Sequence, residues 1–283
     1  QTYLALKYGI PLSENYIAPN GQVLKAVEQS DFNYRIAGLG KNDLFGLNQK
    51  QATSSNTDIF LALGLQTIEC TNALNPGQLD DNTYLIWSDD NQPLQFQQRQ
   101  VLEVPSLERL WEMGVTGDLS EQPTELQIDQ NGFELGEEEV LYLVVYEDEN
   151  RQQKRYHKAH TVTEAGIAVF KNIIWDSDQS GKDYFSFAVG QSLIPNIAAE
   201  LPQCANSQNG QLQLGAIGGQ PPYRFQLNTA GGATIGNWEL DDQMDAPTIE
   251  LAVGTYQLLL TDQSGAQYAE TFFFQASDAP MVD

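Results

Sequence analysis

The sequence predicts an all-β protein: two antiparallel β-sandwich modules in tandem, the second immunoglobulin-like. Three observations carry this expectation. Turn-forming residues recur roughly every ten positions, short β-branched and aromatic runs fill the intervals, and the rhythm breaks once, near residue 195, before a tighter alternation resumes. The 283 residues suffice for about two domains, and a 41% hydrophobic, 10% aromatic composition supplies side chains for sizeable cores.

The first element is a helix over Thr2 to Tyr8, ended by Gly9 and then Pro11. Turn signals follow at Pro19-Asn20-Gly21, Gly38 to Asn42, Asn75-Pro76-Gly77, Asp89-Asp90-Asn91, Asp129 to Gly132 and Asp148 to Asn150. Strands are expected between them at Ile59 to Leu63, Thr83 to Trp87, Leu126 to Ile128, Val140 to Tyr146, Ile167 to Phe170 and Tyr184 to Val189. Leu193-Ile-Pro and Leu201-Pro interrupt this ladder, so residues 1–195 read as one module and 196–202 as a linker. The second module spans 203–276. In it Leu212/Leu214, Tyr223/Phe225/Leu227 and Tyr256/Leu258/Leu260 each put one face inward, and Asp262 to Gly265 makes a hairpin turn. Residues 277–283 read as a linker onward, and Gln1 to Ile10, with neither an initiator Met nor the order of a signal peptide, reads as internal to a longer chain.

The charge balance narrows the partners. With 14 Lys+Arg against 38 Asp+Glu the net charge is -24, and the few cations are scattered, which disfavours nucleic acid and anionic membrane surfaces. No apolar run reaches the length that spans a bilayer. Cys70 and Cys204 lack metal or redox spacing and make no disulfide framework. The acidic excess and abundant Gln and Asn suit an extracellular surface.

Two stretches resemble known families. Asn209-Gly-Gln-Leu, Gly218-Gly-Gln-Pro-Pro-Tyr-Arg-Phe, Leu251-Ala-Val-Gly-Thr-Tyr and Thr261-Asp-Gln-Ser-Gly make residues 204–275 similar to the SprB-type repeat of very large surface adhesins of gliding and related Bacteroidota. That family usually carries a second Cys after the turn Gly. Ala266 stands there instead, which implies that the intradomain disulfide is absent and Cys204 is free or paired elsewhere. Tyr3 to Ile10, Tyr34 to Asp43, Gly46 to Gln51, Leu85 to Asp90, Leu110 to Gly117 and Asp183 to Phe187 make residues 1–190 resemble a module of unassigned activity in type IX-secreted surface proteins, often found after a laminin-G-like sandwich. The resemblance implies secretion and display at the bacterial cell surface, and nothing in it implies catalysis.

Asp176, Asp178, Ser180 and Asp183 surround a Gly turn with oxygen ligands at alternate positions, a calcium-like pattern whose twelfth position is Phe187 where an EF-hand has Glu. An Asx-rich hairpin whose carboxylates cap local amides outweighs the calcium reading, because such turns are common between strands. His157 and His160 lie three apart with no third ligand in view and read as an exposed polar connection. Neither a Gly-x-Ser-x-Gly elbow nor a positioned Cys/His pair is present, and Gly38 to Gly46 reads as a tight turn, not a phosphate loop. Adjacent acids such as Asp80/Asp81, Asp89/Asp90 and Asp241/Asp242 are expected on solvated turns rather than as a glycosidase pair. Trp87 and Trp111 are expected in cores, and Trp238, after the Gly-rich 230–236 loop, is the candidate exposed ligand-binding aromatic.

The functional expectation is a non-enzymatic structural or adhesive segment of a large secreted surface protein, working through self-association or neighbouring modules of the same chain, with surface glycans as partners and no cofactor unless calcium. The alternative is a carbohydrate-binding module of a secreted enzyme.

Overall fold

The computed structural model describes residues 1–27, 30–54, 58–97, 104–119, 121–151, 154–202, 209–241 and 247–276. The protein is nearly all β. It divides into two compact units, the first built from Gln1–Gln97, Ser106–Gly136 and Leu141–Val189, the second from Gly190 onward together with 104–105 and Glu137–Val140.

The first unit begins with helix α1 (Thr2–Tyr8), which ends at Gly9 in the left-handed conformation (φ 62°). Its strands are β1 (Tyr16–Ile17), β2 (Val23–Lys25), β3 (Tyr34–Asn42), β4 (Leu47–Gln49), β5 (Gln51–Thr53), β6 (Leu61–Leu65), β7 (Thr83–Asp89), β8 (Trp111–Thr116), β9 (Thr124–Asp129), β10 (Glu139–Tyr146), β11 (Lys154–Lys158), β12 (Thr161–Val162), β13 (Ile167–Ile173) and β14 (Lys182–Gln191). A seven-stranded sheet in the order β11-β10-β14-β8-β7-β3-β4 faces a five-stranded sheet, β12-β13-β9-β6-β5. Between them lies one continuous core in which Leu39, Trp87, Trp111 and Phe185 of the larger sheet meet Leu63, Leu126 and Phe170 of the smaller. Trp111 stacks on Phe185 at 5.5 Å and meets Phe187 edge-on at 5.5 Å, the offset and T-shaped arrangements that aromatic quadrupoles favour.

A second, smaller cluster covers the other face of the seven-stranded sheet. Ala5 and Leu6 of α1, with Tyr16 and Ala18 of the β1–β2 hairpin, pack on Ile36, Tyr84 and Ile86. Strand β7 is therefore buried along both faces, Leu85 and Trp87 inward and Tyr84 and Ile86 outward.

The stretch expected as a turn at Gly38 to Asn42 is instead the end of strand β3, and the turn follows at residues 43–46. The glycines serve close packing. A Cβ on Gly38 would sit 2.7 Å from the Leu85 carbonyl oxygen and 2.8 Å from Leu6 Cδ2, and one on Gly40 would sit 2.5 Å from the Tyr84 ring.

The second unit contains β15 (Leu193–Glu200), β16 (Gly210–Gly218), β17 (Tyr223–Thr229), β18 (Thr234–Leu240), β19 (Thr248–Leu251), β20 (Gly254–Thr261) and β21 (Gln267–Phe274). A three-stranded sheet, β15-β16-β19, and a four-stranded sheet, β18-β17-β20-β21, form an antiparallel seven-strand sandwich of immunoglobulin type. The inward sets read from the alternation are buried: Leu212, Leu214, Tyr223, Phe225, Leu227, Tyr256, Leu258 and Leu260.

The expected linker 196–202 is corrected here. Through Glu200 it is strand β15, paired residue by residue with β16 from Leu193↔Gly218 to Glu200↔Gln211. Pro195 does not break the strand because β15 is an edge of its sheet, where a missing N–H takes no ladder bond from a neighbour. The first module accordingly ends at Val189 rather than at 195, and the second starts at Gly190 rather than at 203. Residues 277–283 and Cys204 lie outside the described residues.

Candidate functional site

The Asp176 loop joins β13 to β14, and backbone geometry dictates its composition. Asp176, Gln179 and Gly181 all carry positive φ (54°, 59° and 84°), conformations that Asp, Asn-like and Gly residues tolerate best. Asp176 Oδ1 accepts from the Gly181 amide at 2.7 Å, and Asp178 Oδ1 accepts from the Ser180 amide at 3.1 Å. Ser180 Oγ donates to the Lys182 carbonyl at 2.8 Å. Asp183 Oδ2 turns away from this group, accepting from the Asp176 amide at 2.7 Å and from Arg155 Nη2 at 3.4 Å.

The four predicted residues are thus neighbours, and the oxygens of Asp176, Asp178 and Asp183 accept from amides of the loop in the Asx-hairpin manner. Among the described residues no group of three or more His, Cys, Asp or Glu is placed to hold a metal ion. Asp183 is fully buried, its Oδ1 has no hydrogen-bond partner among the described residues, and burial pushes its carboxyl up to about 6 against the opposing pull of the Asp176 amide and Arg155.

His157 and His160 separate. His160 is exposed, as expected. His157 is not: it sits in edge strand β11 directly opposite Leu143, a core residue, so its ring lies on the inner face. Burial, and then the charge of Arg155, push it down to about 4, and its Nε2 has no partner among the described residues.

Trp87, Trp111 and Trp175 are buried, Trp87 donating Nε1–H to Ser54 Oγ at 2.6 Å and Trp175 to Thr124 Oγ1 at 2.8 Å. Trp238 is half-buried, not the exposed platform expected. In edge strand β18 it faces Phe225 of β17, and its indole lies over Gly236, where a Cβ would meet Cζ2 at 2.4 Å. Of the adjacent acids, Asp89 is fully buried and held by Arg35 through Nε (2.7 Å) and Nη2 (2.5 Å), a bidentate bond that leaves no free carboxylate. Asp242 lies outside the described residues.

Sequence reasoning missed two features. The first is an ion triad centred on the buried pair Lys25 and Glu112. Lys25 Nζ lies 2.5 Å from Glu112 Oε1 and Lys182 Nζ 2.8 Å from Oε2, bringing β2, β8 and β14 together. Burial pushes Lys25 down despite Glu112; burial also works to raise Glu112, yet the two lysines hold it below the ordinary carboxylate range. Nothing local marks a pair 87 positions apart.

The second is a cavity of about 810 Å³ in the first unit, opening among α1, the β1–β2 hairpin and the β3–β4 turn. Its deepest residues are buried: Ala18, Leu47, Asn42 and Tyr84. Burial, and then the charge of Asp81, push the buried Tyr84 phenol up, against the opposing pull of Asn42. Asn42 Nδ2 donates to Asn82 Oδ1 at 2.8 Å and its Oδ1 accepts from the Phe45 amide at 3.0 Å, which ties the β3–β4 turn to the residue before β7. Tyr3, Ile17 and Phe45 form apolar walls, and Glu14 is the single charged side chain at the rim. The residues that build it, Tyr3 and Tyr84 among them, stand out in the sequence only as strand and helix aromatics.

A family model described as Domain of unknown function (DUF8202) matches residues 1–180. None of the curated proteins matches the chain.

Proposed function

The chain belongs to the DUF8202 family, and from that premise we propose that it is a non-enzymatic structural and adhesive segment of a large secreted bacterial cell-surface protein, self-associating or joined to further modules of the same chain. The observation that carries this reading is where the buried charge goes. Arg35 and Asp89 bond between β3 and β7 of one sheet, Lys25 and Glu112 bond the β1–β2 hairpin to β8, and Arg109 bonds Asp58 between two connecting segments, so each pair ties together parts of the fold distant in sequence. Asp183, pushed up by burial, is fully buried under the Asp176 loop and bonded to its backbone and to Arg155, and His157, pushed down by burial, is half-buried on the inner side of β11 opposite Leu143. The likeness of residues 204–275 to surface-adhesin repeats supports the same reading.

Assembly is tested by light scattering of the purified chain over rising concentration, with and without calcium. The expected result is a mass that grows with concentration, more so at high salt, where the repulsion of 24 net negative charges is screened. A monomer under all these conditions overturns self-association. Turnover of any polysaccharide or peptide substrate, lost on changing one buried acid, overturns the non-enzymatic reading. A carbohydrate-binding module is the second reading, and the cavity beside α1 is the observation that favours it.

A further inference from the structure

We propose that strand β21 is the surface through which two copies of this chain join, edge to edge and antiparallel, into one continuous sheet. This rests on the self-associating reading and names the surface that carries it.

Strand β21 is an edge of its four-stranded sheet. Asp262 N–H donates to the Ala266 carbonyl at 3.0 Å, which sets the phase of the β20–β21 ladder, because bonded pairs recur at every second residue of an antiparallel pair. Tyr268, Glu270 and Phe272 therefore bond to β20, and Gln267, Ala269, Thr271 and Phe273 turn their N–H and C=O groups outward. Those outward groups take no hydrogen bond among the described residues, and the side chains of all four are exposed.

The other three edges of this sandwich are guarded. Strand β18 shifts register against β17 at Leu227/Asn228, β15 carries Pro195, and β19 is only four residues long, each of which discourages a further strand. Strand β21 runs eight residues in unbroken register, with neither Pro nor Lys. Its one charge, Glu270, accepts a hydrogen bond from Tyr268 Oη of the same strand at 2.6 Å.

Self-complementarity selects a second copy as the partner. A two-fold axis between the two Thr271 residues sets the 55% exposed ring of Phe273 beside Ala269, large against small, and places Glu270 opposite Phe272 rather than opposite its own copy. On the adjacent outer face of β20, Thr255, Gln257, Leu259 and Thr261 carry no charge, so copies of a chain with net charge -24 meet here with little local repulsion.

The test is sedimentation equilibrium of the full chain at high salt, where the expected mass levels off at two copies. Thr271→Lys, a change at an exposed position that sets like charges face to face, should raise the dissociation constant at least about fivefold. In a Cys70→Ser, Cys204→Ser background, Thr271→Cys should oxidise to a covalent dimer, since directly opposed Cα atoms of a bonded pair lie about 5.5 Å apart, and Thr248→Cys on β19 should not. If the wild type associates but Thr271→Lys associates equally well, or Thr271→Cys gives no more covalent dimer than Thr248→Cys, the β21 interface is wrong while self-association stands. Mass that climbs past two copies without levelling off overturns the closed two-fold arrangement, and a monomer at every concentration overturns both the interface and the reading it rests on.

Discussion

Asp183 and His157 titrate in opposite senses, and the pH dependence of stability should expose both. In the fold His157 stays neutral to about pH 4, whereas the unfolded chain protonates it near 6.5, so stability falls on acidification between those values. Asp183 takes its proton at about 6 in the fold but only near 3.8 when unfolded, so stability rises on acidification through that window. Each slope amounts to about 3 kcal/mol, and they nearly cancel between pH 6 and 4. Urea midpoints should therefore be almost flat for the wild type over this range, fall on acidification for Asp183→Asn and rise for His157→Gln; parallel responses of the two variants would contradict these environments. The Glu112 triad makes a second prediction at the same scale. Glu112→Gln leaves Lys25 as an uncompensated buried cation and should reduce unfolding free energy by about 3 kcal/mol. Lys182, whose side chain is 54% exposed, should cost under about 1 kcal/mol when changed to Met, by the same urea measurement. Such pairs leave no trace in local sequence, because Lys25 and Glu112 are brought together only when β2 is laid over the seven-stranded sheet.

At the scale of the element, most strands were legible and their exact uses were not. The alternation at Tyr223/Phe225/Leu227 fixes which face of β17 points inward, since a period of two has only two phases. Strand β7 defeats the same reading. Thr83 to Asp89 is buried at every position because α1 and the β1–β2 hairpin cover its outer face, and no sequence within β7 announces the cover. Gly38 and Gly40 mislead in the other direction, since glycine marks turns and close approaches alike. Gly38→Ala should lower the melting temperature markedly, an overpacking cost of about 1 to 3 kcal/mol against the Leu85 carbonyl and Leu6. Gly132→Ala, where an added Cβ meets nothing within 4 Å, should move it little. Equal shifts in calorimetry would mean that β3 is not packed this closely. The Asp176 loop was legible as chemistry and as a hairpin, and its carboxylates cap amides as turn residues do.

Over the whole molecule, the unit boundary separates two readings of Pro195. Taken as a breaker it ends the first module and makes 196–202 a linker; as an edge-strand residue it lies within the first strand of the second sandwich. A fragment starting at Gln203 lacks β15 and exposes the otherwise buried Leu212, Leu214 and Ala216 beside an unpaired strand edge, so it should fail to show a cooperative thermal transition. One starting at Gly190 should melt cooperatively. Cooperative unfolding of the shorter fragment would restore the linker.

The sequence alone determined the fold class, the helix ended at Gly9, the inward faces of the second sandwich and the hairpin nature of the Asp176 loop, because each rests on interactions within a few residues or on a strict period of two. Only the tertiary structure decided that β7 is covered on both faces, that Lys25 meets Glu112, that Pro195 sits on an edge and that a cavity opens over Tyr84. Each of these depends on which segments pack together across many tens of residues, and no local pattern encodes that choice.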